Sequence, residues 1–429
     1  MSAADASSLP VAASLPCDAV VLLDAALGTA KVCGLTIAER ARRVALRCGA
    51  ERIFLLDHAA PSTVPSWLHE ADATATAAAA QRPLLIIDCT TQIIHMPLLQ
   101  PLLNADSGAV RIAVDPLDGR LAGALWCAPT QRAAIVVQLL SPGTSQDALD
   151  GPTVAAAMAT YGRQQLSSPA NAEHGQAVVA VPHGAIARHP AVTPADRKAA
   201  IHFLFGLVRK AQDTWLIRTV NRRVSYPFTR LLLPTTISPN MISIAVFIIG
   251  AIGCWVLAQP TYLGGVVGTL LVLFAGYLDG CDGEIARIRL ESSQLGAWID
   301  TIADEVTTVL FLIGSGLHVY RQLGDPWIGW SIVIGTIGAV LSIYIIYYYL
   351  IVVAHSGNSQ DYPSSQGGIA SVLRVVVQRN IINLAAVAFA LINRIDTLYF
   401  LTTLGGVVTA VVLIPDHIAL RWKRRRSTT

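Results

Sequence analysis

Long apolar stretches from about Ser238 onward constrain the fold of this chain more than any other feature. A helix that crosses a bilayer needs roughly 20 apolar residues, and six stretches approach or exceed that length. They are Ser238–Ala258, Tyr262–Leu278, Gly296–Tyr320, Trp327–Ala354, Asn380–Ile395 and Thr397–Leu420. The sequence therefore predicts an integral membrane protein whose C-terminal part is an all-α bundle of six transmembrane helices.

The overall composition is consistent with a membrane protein. Of the 429 residues, 53% are hydrophobic and only 14% are charged, whereas an average soluble domain has about 25% charged residues. Lysine and arginine total 31 against 28 acidic residues, a formal charge of +3. This composition excludes a disordered chain, a basic nucleic-acid-binding domain and a purely soluble enzyme, and it predicts no nucleic-acid partner.

The region before residue 195 has a different pattern, in which short apolar runs alternate with helical periodicity. The strand-length runs are Ala19–Leu23, Arg52–Leu56, Pro83–Ile87, Val110–Val114 and Ala177–Val181. The clearest helical pattern is Thr36–Cys48, where the apolar residues share one face. Strands separated by helices predict an α/β domain with a mostly parallel sheet over residues 1–195.

Residues 196–235 are predicted to connect this domain to the membrane domain, which spans residues 236–429. Aromatic and apolar residues such as Trp215 and Phe228 alternate there with Arg218, Arg222 and Arg230. This pattern favours an amphipathic juxtamembrane helix on an anionic membrane surface. A plain connector is the alternative interpretation.

The distribution of charge predicts the orientation in the membrane. Met1–Ala13 has neither the basic start nor the apolar core of a secretory signal. Basic residues favour the cytoplasmic side of short loops, and nine lie on one side against only Arg321 and Arg394 on the other. The nine are Arg287, Arg289, Arg374, Arg379, Arg421, Lys423, Arg424, Arg425 and Arg426. We expect a multi-pass protein of the cytoplasmic (inner) membrane with both termini in the cytoplasm.

Four aspartates lie near the predicted cytoplasmic ends of two membrane helices. Asp279 and Asp282 are three residues apart, and Asp300 and Asp304 are four apart, so each pair shares a helix face. A turn near Leu290–Leu295 would bring the two faces together. Four converging carboxylates cannot all ionise without a cation, and hard oxygen ligands suit Mg²⁺ or Mn²⁺. The alternative is a set of acids at the water boundary that pair with arginines.

These residues resemble the signature of the CDP-alcohol phosphotransferases, also called CDP-alcohol phosphatidyltransferases. The pattern Asp-x2-Asp-Gly-x2-Ala-Arg-x8-Gly-x3-Asp-x3-Asp falls on Asp279, Asp282, Gly283, Ala286, Arg287, Gly296, Asp300 and Asp304. The resemblance covers roughly residues 221–426. It implies transfer of a phosphate-linked group from a CDP-alcohol donor to an acceptor alcohol or lipid, with release of CMP.

The resemblance also implies roles for individual residues. Asp279, Asp282 and Asp300 would hold the divalent metal, and Asp304 would be the general base and touch a second metal. The expected substrate-binding residues are Gly283, Ala286, Arg287, Gly296 and Asn240. The family is homodimeric, and Gly335, Gly338, Gly405 and Gly406 offer small surfaces for helix packing. Arg374 and Arg379 are candidates for contact with an acceptor phosphate, or equally for anchoring at the inner leaflet.

The start of the N-terminal domain is similar to a sugar-nucleotidyltransferase, a family in which a glycine-rich loop cradles nucleotide phosphates. Only Gly28, Thr29 and Lys31 fit that loop, Ala30 stands at the arginine position, and Asp88 matches a metal-binding acid. We therefore expect a degenerate, non-catalytic domain. Relatives that fuse an inositol-phosphate cytidylyltransferase to this membrane domain provide a precedent for the arrangement.

Several functions fit these patterns. The first is a membrane transferase in the synthesis of phospholipids or related polar lipids, in contact with membrane lipids. The second makes a soluble phosphodiester from a CDP-polyol and a polyol phosphate. A divalent-cation transporter is the rival from another class, but a transport path needs polar groups across the bilayer, and the last three predicted spans offer almost none.

Overall fold

The computed structural model describes residues 16–57, 65–69, 82–105, 110–140, 150–167, 178–184, 187–206, 221–349, 351 and 379–427. These residues form two compact units. The first contains the described residues up to 206 together with residues 230–236 and 284–291. The second contains residues 221–229, residues 237–283 and the described residues from 292 onward. The predicted domain limits at 195 and 235 stay a prediction.

The first unit is built around a six-stranded sheet with the order β4-β1-β5-β8-β7-β9. The strands of this sheet are β1 Cys17–Leu22, β4 Ala50–Leu56, β5 Leu84–Asp88, β7 Val110–Val114, β8 Leu121–Cys127 and β9 Val178–Pro182. Four short strands lie outside it: β2 Lys31–Val32, β3 Leu35–Thr36, β6 Gln92–Ile94 and β10 Arg188–Pro190. Pairing is parallel except at β8, which runs antiparallel to β5 and β7. This confirms the predicted α/β domain with a mostly parallel sheet.

Strand β8 was not predicted, because Leu121–Cys127 is rich in small residues with low strand propensity. Within it, Gly123 has φ +90°, and a β-carbon there would collide with the amide of Gln92. The strand therefore depends on a glycine at this position. Two further pairs, β6 with β10 and the β2–β3 hairpin, are also too short to show a period in the sequence.

Seven helices accompany these strands. They are α1 Ala25–Gly28, α2 Ile37–Arg47, α3 Ser66–His69, α4 Met96–Asn104, α5 Pro129–Leu140, α6 Gly151–Ser167 and α7 Pro194–Gly206. Helix α2 matches the predicted helix closely, since Thr36 caps it by accepting a hydrogen bond from the Glu39 amide at 3.1 Å. Its apolar face buries Ile37, Ala41 and Val44.

The remaining helices are α8 Arg222–Leu232, α9 Pro239–Leu257, α10 Tyr262–Leu278, α11 Gly280–Ile288, α12 Gln294–Leu323, α13 Pro326–Tyr348, α14 Arg379–Leu391 and α15 Ile395–Ser427. Side chains of Ser238, Thr261, Ser293 and Asp325 cap the N-termini of α9, α10, α12 and α13. These polar residues therefore fix where the apolar helices begin. Of the predicted juxtamembrane segment, α8 is described, and residues 207–220 lie outside the described part of the chain.

Five helices among the described residues are long and apolar enough to cross a bilayer, so the protein is an integral membrane protein. The predicted count of six was not exact. The fifth predicted span corresponds to α14, whose 13 residues extend only about 20 Å against a hydrocarbon core of about 30 Å. The helix ends because Asn393 adopts φ +56° and the Arg394 amide closes onto the Phe389 carbonyl at 2.7 Å.

Close packing of α9, α10 and α12 supports the part of the second unit that holds the carboxylates. A β-carbon at Gly268 would collide with the Leu257 backbone, and one at Gly314 would lie 2.6 Å from the Cys254 carbonyl. These glycines allow the helix backbones to approach closely. Helices α10 and α12 are thus both packed closely against α9.

Candidate active site

Three of the four predicted carboxylates meet in the second unit. Asp279 caps the C-terminus of α10, and Asp300 and Asp304 lie one turn apart on α12. One carboxylate oxygen from each lies within 4.8 Å of the other two, and all three residues are half-buried. Such a spacing of hard oxygen donors fits a divalent cation.

Asp282 lies apart from this group of three. Its side chain, in a residue only 7% exposed, accepts a hydrogen bond from the Ser243 hydroxyl of α9 and another from the Gly283 amide. Asp282 therefore ties α11 to α9 in this structure. Its predicted role as a metal ligand stays a prediction.

The three aspartates line a cavity of about 380 Å³. Its wall also contains Ser243, Val246, Phe247, Val272, Ala275, Gly276, Ala303, Glu305, Thr307, Thr308, Phe311, Ile382 and Asn383. The polar groups lie in a mainly apolar wall, which is typical of a site that orients a small ligand. A substrate with hydroxyl or phosphate groups fits this lining.

Five polar residues of the cavity wall were not assigned to the site from the sequence: Ser243, Glu305, Thr307, Thr308 and Asn383. Asn383 is 5% exposed and belongs to the apolar helix α14. An amide inside the apolar run of this helix is a signal that could have identified it, since polar groups in membrane helices are costly and often functional. Glu305 follows Asp304 directly, and nothing in the spacing distinguished it.

The predicted substrate residues Asn240 and Gly296 lie side by side at the N-terminal ends of α9 and α12. A β-carbon at Gly296 would lie 2.8 Å from the Asn240 Oδ1 atom. The Gly296 amide donates a hydrogen bond to the capping Ser293 hydroxyl at 3.0 Å. A glycine is therefore required here if Asn240 is to keep its position against α12.

The other predicted residues of the signature all lie on α11. Gly283 belongs to the second unit, whereas Ala286 and Arg287 belong to the segment 284–291 of the first unit. Arg374 lies outside the described residues, and Arg379 is the first residue of α14, with its side chain also outside them. Their predicted contact with an acceptor phosphate stays a prediction.

In the N-terminal domain, the candidate nucleotide site occupies the carboxyl ends of neighbouring strands. Asp88 ends β5 opposite Leu22 of β1, and its Oδ1 atom accepts hydrogen bonds from the Thr90 amide and hydroxyl at 3.0 and 2.6 Å. Gly28 ends α1 and is buried, and Lys31 is exposed at the start of β2. Among the described residues, Asp88 belongs to no group of acids close enough to share a metal.

The C-terminal part of the chain is similar to known proteins. Residues 236–414 match the family model described as CDP-alcohol phosphatidyltransferase. The chain is 35% identical over 139 residues to the bifunctional IPC transferase and DIPP synthase of Rubrobacter xylanophilus, covering 31% of each chain. It is 28% identical over 138 residues to the protein of that description from Aquifex aeolicus. The match thus spans about a third of the length of these relatives, 31% in both cases.

The chain is also similar to a further enzyme over a shorter stretch and to one solved structure. The CDP-diacylglycerol–serine O-phosphatidyltransferase of Mycobacterium bovis is 38% identical over 65 residues, or 15% of this chain and 22% of that protein. The crystal structure of Mycobacterium tuberculosis phosphatidylinositol phosphate synthase with CDP-DAG bound aligns with a TM-score of 0.37 and 18% identity. That alignment covers 46% of this chain and 94% of the synthase.

Proposed function

Because the C-terminal part of this chain is a CDP-alcohol phosphatidyltransferase domain, we propose that the protein transfers a phosphoalcohol or phosphatidyl group from a CDP-alcohol to an acceptor alcohol. CMP is the other product. The observation that carries the proposal is the meeting of the Asp279, Asp300 and Asp304 carboxylates within 4.8 Å on the wall of one cavity. The membrane position of the site gives a lipid substrate access from the bilayer.

The donor set fits a divalent cation, Mg²⁺ or Mn²⁺. Three half-buried carboxylates repel one another unless a cation compensates their charge, and oxygen ligands at this spacing suit a hard metal. Asp279 and Asp300 would hold the metal, together with Asp282 in the motif and with a contact from Asp304. When bound, the metal neutralises charge on the pyrophosphate of the donor.

The reaction is a single displacement at the β-phosphorus of the donor. The acceptor hydroxyl oxygen forms a bond to this phosphorus while the bond from the phosphorus to the oxygen bridging the two phosphates breaks, and CMP leaves with that oxygen. The proton of the acceptor hydroxyl passes to the carboxylate of Asp304, the proposed general base. Arg287, with its planar pair of donors, binds phosphate oxygens, and Asn240, Gly283, Ala286 and Gly296 line the nucleotide side.

We assign the product to the phospholipids or related polar lipids. The proposed setting is the cytoplasmic membrane, with both termini in the cytoplasm and with a homodimer as the working unit. The N-terminal domain is proposed to be catalytically inactive, because Asp88 is engaged by Thr90. A soluble phosphodiester product is the second candidate, which the description of the relatives as DIPP synthases favours.

The test is release of CMP by the purified protein in detergent or nanodiscs. Radiolabelled CDP-diacylglycerol and CDP-polyols are each supplied with candidate acceptors and with Mg²⁺, Mn²⁺ or a chelator. We expect metal-dependent CMP release and a labelled product that partitions into chloroform. A product confined to the aqueous phase would select the soluble phosphodiester, and no CMP from any donor would contradict the proposed reaction.

A further inference from the structure

Three arginines on one face of α2 bind three consecutive backbone carbonyls at the end of α11 and just after it. Arg40 Nη1 donates to the Ile288 carbonyl at 2.8 Å, Arg43 Nη1 donates to the Arg289 carbonyl at 2.8 Å, and Arg47 Nη2 donates to the Leu290 carbonyl at 3.4 Å. Residues 40, 43 and 47 share a helix face because of their spacing. We call these three side chains the arginine clamp.

Side-chain and backbone contacts reinforce the clamp. Arg43 also pairs with the Glu291 carboxylate at 2.7 Å, so the charge on Glu291 orients the segment against α2. Leu290 adopts φ +57°, a backbone conformation that a leucine rarely takes and that needs support from its surroundings. The Leu290 carbonyl is one of the three that the clamp binds.

Arg40 is the centre of the clamp and is almost completely buried, at 2% exposed. Burial lowers its pKa to about 10, so it is still a cation at neutral pH. The Arg40 guanidinium donates hydrogen bonds to two backbone carbonyls, that of Ile288 and, at 3.4 Å, that of Val32. Burying a cation against carbonyls costs more free energy than burying an apolar side chain. We therefore infer that Arg40 serves to fix the position of the segment that it binds.

The N-terminal domain also contacts the segment 230–236. The turn at Cys33 and Gly34 has positive φ at both residues, and a β-carbon at Gly34 would collide with the Leu233 carbonyl. From the other side, Arg289 donates to the Leu233 carbonyl at 2.7 Å. Segments 230–236 and 284–291 are therefore held together on the α2 side of the domain.

The clamped segment has a special place in the chain. Ile288 directly follows Arg287 of the signature, and residues 289–293 connect α11 to α12, which begins just before Gly296, Asp300 and Asp304. We propose that the arginine clamp is a positioning device for the transferase site: it fixes the α11–α12 connection, and through it Arg287 and the register between the two halves of the signature. The inference rests on the proposed function and gives the N-terminal domain a role without catalysis.

A positioning role of the arginine clamp and a purely structural role predict different experimental results. If the clamp sets the register of the two halves, its loss weakens binding of Mn²⁺ and CDP, while saturating concentrations of Mn²⁺ and of the CDP-alcohol donor restore turnover. A purely structural role would lower the fraction of folded protein and leave the affinity of that fraction unchanged. The affinities can be measured without turnover, by electron paramagnetic resonance of free Mn²⁺ and by calorimetry with CDP.

The variants are Arg40→Met and Arg43→Met in the full-length protein, with Arg42→Met as the matched control. Arg42 lies on the same helix, and its Nε atom donates a hydrogen bond to the Glu39 carboxylate at 2.9 Å. We expect the two clamp variants to weaken Mn²⁺ and CDP binding about tenfold, the size of effect that supporting residues have on metal affinity. Hydrogen exchange of residues 284–296 should also accelerate, and Arg42→Met should change neither quantity.

Arg40→Lys and Arg43→Lys serve if the methionine variants do not fold, since lysine keeps the charge and one donor and should give intermediate losses. Wild-type affinity for Mn²⁺ and CDP in folded clamp variants would overturn the positioning role even if exchange accelerates. A wild-type protein that binds no Mn²⁺ would instead overturn the proposed function. The two failures are thus distinguished by the wild-type measurement.

Discussion

The Tyr347 hydroxyl of α13 donates a hydrogen bond to the Glu305 Oε1 atom of α12 at 3.1 Å, and Glu305 also lines the cavity that contains Asp304. Both residues border an apolar groove of about 410 Å³ between these two helices. The pair therefore connects the carboxylate cavity to the apolar groove. It also means that Glu305 faces the candidate active site, although it is not among the three carboxylates that converge.

We expect Glu305→Gln to weaken Mn²⁺ binding by no more than about threefold, the size of a screened interaction between charges that are not in contact. Glutamine keeps an oxygen that can accept from Tyr347. Asp279→Asn removes a direct ligand and should weaken binding by about 100-fold or more. Titration of Mn²⁺ followed by electron paramagnetic resonance compares them, and equal losses would make Glu305 a ligand.

The sequence predicted that four aspartates would converge because they have helical spacing on both sides of a short turn, and three of the four do meet. It could not predict that Asp282 faces Ser243, since helix spacing leaves open which neighbouring helix a shared face meets. The sequence pattern also did not reveal Asn383, because that residue belongs to α14 and lies more than 70 residues after Asp304 along the chain. Contacts of this kind depend on tertiary packing, which no local pattern encodes.

The same distinction applies to the fold. The apolar runs of β1, β5 and β7 are buried and those of β4 and β9 are partly exposed, and all five were recognised. Strand β8 was missed because it contains a glycine and two alanines, which have low strand propensity. Helix α14 was predicted too long because the apolar pattern continues through Ile392, while the backbone turns at Asn393. Hydropathy detects burial, but the end of a helix depends on backbone conformation at single residues.

A buried ion network at the start of β1 should control the stability of the N-terminal domain. Asp18 is fully buried and bonds Arg52 at 2.7 Å and Arg132 at 2.5 Å. We expect Asp18→Asn to destabilise the domain by about 3 to 5 kcal/mol, because the buried Arg132 and the partly exposed Arg52 lose their counter-charge. Hydrogen exchange of β1 measures the loss, and the exposed Asp118→Asn is the control. A loss below 1 kcal/mol would mean that the network contributes little.

The same network predicts a dependence of stability on pH. Burial alone would raise the pKa of Asp18, but hydrogen bonds and charge from Arg52 and Arg132 outweigh it and hold the pKa below its usual value. This stabilisation is fully present above the unfolded pKa of about 3.9 and is lost as the pH falls through the folded pKa. The protection of the β1 amides, measured as exchange relative to an unfolded peptide at the same pH, should therefore fall below about pH 4 in the wild type, with a smaller change in Asp18→Asn.

The glycines expected at a dimer surface have different surroundings. A β-carbon at Gly335 would lie 2.8 Å from Thr403 Cγ2, and one at Gly338 would contact Val407, so both pack within the chain. Gly405 and Gly406 have no atom within 4 Å of such a β-carbon among the described residues. We expect Gly405→Leu with Gly406→Leu to lower the dimer fraction in native mass spectrometry, and Gly338→Leu to impair folding instead. An unchanged dimer fraction would mean that the dimer interface does not include Gly405 and Gly406.

The measurement that tests the central claim most directly compares turnover and binding in Asp304→Asn and Asp279→Asn. Both are assayed for CMP release and for Mn²⁺-dependent binding of CDP in one detergent preparation. If Asp304 is the base, Asp304→Asn should lower CMP release by about 10² or more and still bind CDP, whereas Asp279→Asn should lose CDP binding. If Asp304→Asn loses CDP binding as completely as Asp279→Asn, Asp304 is a ligand. If both variants release CMP at the wild-type rate, the carboxylate cavity is not the site of transfer.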